Sequence, residues 1–163
     1  MATKKSSRTS VRSTSVKRTK AKRQSSKSAT GTYTVPRGHV SIAVPTFWTL
    51  RQTNDDLEVE APSGSTAVIV TAFQRNGRNE LLDAREYLNH FLETAPKNGR
   101  LKMERGTNKR AVARYKDPEG DHWDVAFVTN GNTLLLATCN TSFPSSHKEA
   151  KTGVQVLESL KLI

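Results

Sequence analysis

Acidic residues are missing from the first 31 positions of this 163-residue chain. Six lysines and four arginines stand there, giving that stretch +10, while the remaining residues hold 16 basic and 15 acidic side chains. The formal charge of +11 therefore sits almost wholly at one end, and the rest is close to neutral. A basic segment and a basic patch on a fold imply different partners. Cysteine is nearly absent too. Cys139 alone excludes an internal disulfide framework and a cysteine-rich zinc site, and it suits a reducing compartment. No run of 18 apolar residues exists to cross a membrane as a helix, and no apolar stretch follows the basic start as a secretory signal requires. A soluble, cytoplasmic protein without membrane insertion is the expectation.

Residues 2–31 contain no aromatic side chain, and Val11 and Val16 are their only aliphatic residues larger than alanine. Such a segment cannot repay the entropy of ordering, so residues 1–31 read as a disordered tail and 32–163 as one domain. Lys4, Lys5, Arg8, Arg12, Lys17, Arg18, Lys20, Lys22, Arg23 and Lys27 are its polyanion-binding candidates, because clustered cations release counterions from phosphates. Nucleic acid is thus one expected partner. The alternative is a plastid transit peptide, for which the Met-Ala start, the serines and the missing acids speak. The density of charge in Lys17-Arg18-Thr19-Lys20-Ala21-Lys22-Arg23 speaks against it.

Beyond Gly38 the periodicities change. Val40, Ile42 and Val44 alternate with Ser41 and Ala43, and Leu57, Val59 and Ala61 alternate with glutamates, so both segments read as half-buried strands. The nearly all-apolar run 67–73 reads as a central strand covered on both faces. Leu81, Ala84, Leu88 and Leu92, with Tyr87 and Phe91, give a helical stripe with Asn79 as N-cap. Strands follow at 101–104, 111–115, 123–129 and 133–139, with turns at Asp117-Pro118-Glu119-Gly120 and Asn130-Gly131. Ser146-His147-Lys148-Glu149 has the form of a capping box and opens a last helix with Ala150, Val154, Leu157 and Leu160 on one face. The reading is an α+β fold: an antiparallel sheet of about six of these seven segments in the order β-β-β-α-β-β-β-α, flanked by two helices.

Chemistry-bearing motifs are scarce. No phosphate loop or dinucleotide fingerprint is present, and no cofactor is expected. Cys139 continues the face of Leu135 and Ala137, which makes it a buried structural thiol rather than a nucleophile. Asp117, Glu119, Asp121, His122 and Asp124 crowd one hairpin, but their spacing is not that of a calcium loop. The basic loop 105–110, with Arg114, is a second polyanion candidate beside its plainer reading as a solvated connection. Trp123 alternates with Val125 and Phe127 and reads as core, whereas Trp48, just past a strand end, is the aromatic expected to face a partner. No catalytic or metal-binding constellation stands out, so the protein is read as non-enzymatic.

Val44-Pro45-Thr46-Phe47-Trp48, Ala61-Pro62-Ser63-Gly64-Ser65 and the closing Leu157-Glu158-Ser159-Leu160-Lys161 carry a resemblance. Together with the order of elements, they make residues 38–163 similar to the PsbP/Mog-type α/β/α sandwich family, which includes the DcrB-like bacterial proteins. The resemblance implies a mostly non-catalytic fold whose members assist photosystem assembly, bind a small GTPase or act as chaperones. It implies a protein partner of unknown identity and assigns no binding residues.

Overall fold

Gly38–Pro45 (β2) buries Val40, Ile42 and Val44 and turns the residues between them outward, as period-two alternation demands. Ser28–Val35 (β1) pairs with it antiparallel from Ser28 opposite Pro45 to Val35 opposite Gly38. In the computed structural model, which describes residues 28–35, 38–54, 56–74, 81–103 and 106–163, these strands join Lys161–Leu162 (β10) in a small sheet ordered β1-β2-β10. The four residues 28–31, expected in the tail, thus belong to a strand. Backbone pairing needs no apolar side chains, and Val35 further along anchors the element. All ten tail cations lie outside the described residues.

The larger sheet holds Thr49–Gln52 (β3), Asp56–Glu60 (β4), Thr66–Gln74 (β5), Asn98–Met103 (β6), Arg110–Lys116 (β7), His122–Thr129 (β8) and Thr133–Thr141 (β9). Their order is β3-β4-β5-β9-β8-β7-β6, and every pairing is antiparallel. The α+β class, the antiparallel sheet and the two helices agree with the periodicities. The strand count does not, since one sheet of about six was expected. β2 leaves the main sheet because the backbone turns sharply after it, the Trp48 N–H donating to the Pro45 carbonyl at 3.0 Å. The chain re-enters the main sheet as the short edge strand β3.

Ala84–Thr94 (α1) starts four residues later than the Asn79 cap implied. The Asp83 carboxylate caps it instead, accepting from the backbone N–H of Arg85 at 2.8 Å and of Glu86 at 3.3 Å. Leu81 consequently precedes the helix and is 80% exposed, while Leu82, Ala84, Leu88 and Leu92 are buried. Lys148–Glu158 (α2) is capped by His147, whose Nδ1 accepts from the Glu149 N–H at 3.3 Å, in place of the expected Ser146.

Each helix covers one face of the large sheet. α2 and the small sheet pack on inward rows that include Leu57, Val59, Val68, Val70, Ala137 and Cys139. α1 lies on the other face against β7 and β8, over Ala111, Ala113, Val125 and Phe127. Its main contacts are with β7 and β8, not with β4 and β5. Among the described residues the run 67–73 is therefore covered on one face only, and Ile69 and Phe73 stand 39% and 43% exposed on the other. That is a correction to the reading of β5 as buried on both sides.

Candidate functional site

The β7–β8 hairpin gathers most of the polar candidates. Asp117 closes its turn: one carboxylate oxygen accepts from the N–H groups of Glu119 at 3.0 Å and Asp121 at 2.9 Å. The other accepts from the indole N–H of Trp123 at 2.9 Å. The Trp123 bond is the main cause that holds the Asp117 carboxyl below the ordinary carboxylate range, helped by backbone N–H groups and opposed by burial. Trp123, read as core, is half-buried here, its ring stacked on Tyr115 at 3° with centroids 6.2 Å apart. Burial, with the Asp117 charge in second place, pushes the Tyr115 hydroxyl above its ordinary pKa.

This bonding makes Asp117 a pH-dependent stabiliser. A carboxyl whose folded pKa is depressed contributes stability above its unfolded pKa of about 3.9 and loses it as pH falls through the folded value. Asp117→Asn is expected to lower the melting temperature near neutrality and to narrow its gap to the unaltered protein as pH drops below about 4. Thermal melts across an acid series check this, and parallel curves at every pH would contradict it. One carboxylate oxygen from each of Asp117, Glu119 and Asp121 lies within 4.8 Å of the others, but both oxygens of Asp117 already serve protein donors.

Next to the turn, a cleft of about 320 Å³ opens between the ends of β7–β9 and α2, lined by Arg114, His122, Trp123, Asp124, Lys151 and Gln155 among others. Asp124 is buried and hydrogen-bonds the Arg114 guanidinium, which also lies 3.5 Å from Glu158 of α2. This pair ties the hairpin to the helix. It went unread in the sequence because it depends on register, which sets Arg114 opposite Asp124 across the hairpin. Arg110 is engaged as well, its guanidinium donating to the carbonyls of Leu160 at 3.2 Å and Leu157 at 3.3 Å. Of the suggested basic footprint, Arg110 and Arg114 are thus directed at the fold's own oxygens, Lys109 is exposed, and Arg105 lies outside the described residues.

Cys139 is 1% exposed, in agreement with its reading as a buried side chain. Burial, with the Asp124 charge behind it, pushes the thiol up to about 12, so it stays protonated at neutral pH. Trp48 corrects an expectation. It is 6% exposed in the core, while its neighbour Phe47 turns out at 49%. The turn after Pro45 swings the indole under α2, where its N–H finds no acceptor among the described residues.

The surface that sequence reading missed is the half of the sheet α1 leaves open. Cross-strand pairs share a face, so register places Ile69 beside Glu58 and Thr138, and Thr71 beside Asp56 and Leu136. Phe73 sits beside Leu134. Leu136 in turn adjoins Phe127, on which Tyr87 of α1 rests with ring centroids 6.3 Å apart. Ile69, Phe73, Leu136 and Tyr87 thus make an apolar strip beside α1, bordered on β4 by Asp56, Glu58 and Glu60.

The chain matches no family model and no curated protein. Solved structures do resemble it. The Saccharomyces cerevisiae Ran-binding protein Mog1p aligns at a TM-score of 0.50 and 8% identity, over 83% of this chain and 96% of its own. A Bacteroides thetaiotaomicron crystal structure aligns at 0.51 and 15% identity over 76% of this chain. This chain spans 45% of that protein's length. At such identities the likeness is one of fold. The architecture is Mog-like, as the segments around Val44, Ala61 and Leu157 implied.

Proposed function

We propose that the chain is a non-catalytic protein-interaction module whose basic N-terminal segment tethers it to nucleic acid or another polyanion. The observation that carries the first half is the open sheet face: two large apolar residues, Ile69 and Phe73, stand on one face of a central strand with Thr71 between them and Leu136 beside it, without a covering element among the described residues. An apolar strip left open on the sheet face of a folded domain is a candidate interaction surface. The structural neighbour of similar span, Mog1p, is a Ran-binding protein, which accords with a fold that serves by binding protein. The buried, protonated Cys139 supports the non-catalytic reading. The second half rests on the charge partition of the sequence.

The double substitution Ile69→Thr with Phe73→Thr keeps β-branched residues on the strand while removing the apolar strip. Quantitative affinity capture from native cells, with circular dichroism to verify the fold, is expected to show partners of the unaltered protein depleted at least tenfold on the variant, as for loss of a central hot spot. Equal recovery on both would place the interaction elsewhere.

A further inference from the structure

We infer that the open face beside α1 is a docking site for a basic amphipathic helix of a partner protein. This deepens the interaction reading and rests on it. The dimensions come first. α1 packs against β7 and β8, and among the described residues β4, β5 and the adjoining side of β9 are left uncovered on that face. Strands lie about 4.8 Å apart, so the open width is about 10–14 Å, which is the diameter of one helix with its side chains. β5 has nine residues and runs about 30 Å, matching about 18–20 residues of helix. The vacancy has the size of a second helix lying beside the first.

Charge decides the kind of helix. On this face β4 presents Asp56, Glu58 and Glu60, while β5 and β9 present Ile69, Thr71, Phe73, Leu136 and Thr138 and no cation. Arg51 of β3 stands at the far edge, 3.6 Å from Glu60 and largely exposed. The floor is apolar next to α1 and acidic away from it. An occupant whose apolar stripe meets Ile69 and Phe73 brings one flank of its polar face over the acids, and that flank must be basic. The chain's own tail does not suit the floor, because Val11 and Val16 are its only large aliphatic residues before Ser28. A second copy paired face to face about a two-fold axis sets the two acidic rows into one interface.

Two synthetic peptides of about 18 residues test this, sharing one leucine–phenylalanine stripe but carrying lysines or glutamates on the polar face. Each is titrated into the full chain while the methyl resonances of Ile69 and Leu136 are followed by NMR. The basic peptide is expected to shift these methyls saturably, the acidic one to leave them in place, and Glu58→Lys with Glu60→Lys to weaken the basic peptide at least tenfold. Equal shifts from both peptides, or indifference to the charge reversal, would overturn the basic partner and leave the docking face standing. No shift from either peptide at about 1 mM would remove the docking face itself. Movement of the same methyls on dilution alone, or on deletion of residues 1–27 alone, would assign the face to a second copy or to the tail and overturn the inference.

Discussion

Deletion of residues 1–27 is expected to abolish binding to duplex DNA almost completely. It removes all ten cations of the tail and no acid, which takes the formal charge from +11 to +1. Spread along a segment without aromatic side chains, those cations pair with phosphates but do not stack on bases or read a groove. The full chain should therefore bind unrelated sequences alike. If about six to ten phosphates are neutralised, log K should fall with log salt at a slope of roughly −5 to −9. A salt titration of both forms on two unrelated duplexes measures this. Failure of the full chain to bind at low salt would retire the polyanion tether. Undiminished binding by the truncated form would move the site onto the domain. Lys109, exposed in the loop before β7, is the first cation to test there, because Arg110 and Arg114 are already engaged.

A side chain at position 153 is expected to cost about 2–3 kcal/mol, large for a single methyl group. Gly153 lies in the buried face of α2 where the helix crosses β5 and β9. A Cβ there falls 2.7 Å from the Cys139 Sγ and 2.9 Å from the Thr66 Cγ2, both on buried side chains. Helix propensity alone favours alanine over glycine by up to about 1 kcal/mol, so propensity and packing predict opposite signs for Gly153→Ala. Contact at such distances between close-packed layers should win, lowering the melting temperature by about 10 °C. Repeating the substitution in a Cys139→Ala background should recover part of the loss, since the two positions share one space. A stabilising Gly153→Ala would show that α2 rides higher above the sheet than its contacts indicate.

The same crossing shows where sequence reading succeeds and where it stops. Alternation at Val40, Ile42 and Val44, or at Leu57 and Val59, identifies strands because one face is buried and the other wet. β3 escapes that test. Its Thr49, Leu50, Arg51 and Gln52 are mostly exposed, so an edge strand made by backbone pairing leaves no apolar rhythm to detect. Phe47 and Trp48 are adjacent and chemically alike, and only the geometry of the turn decides that the indole goes in. The apolar run of β5 has the composition of a strand covered twice, yet whether Ile69 and Phe73 are covered depends on where α1 stops, which no local pattern encodes. The Arg114–Asp124 pair becomes visible only when the hairpin register is known. The candidate surface therefore emerged from topology, while its constituent residues were all legible as apolar or acidic.

β2 is the middle strand of the small sheet, flanked by β1 from just before it and by β10 from far along the chain, with Lys161 opposite Ser41 and Leu162 opposite Val40. The Ile163 N–H also donates to the His39 carbonyl at 3.0 Å. About 120 residues separate these partners. Closing so long a loop contributes nothing until the rest of the structure holds its ends together, so this pairing should form late in folding. While the chain is still emerging from the ribosome, one side of β2 waits as an unpaired edge. During that interval the nascent protein is open to strand capture by a neighbour, a hazard that ends when residues 161–162 arrive.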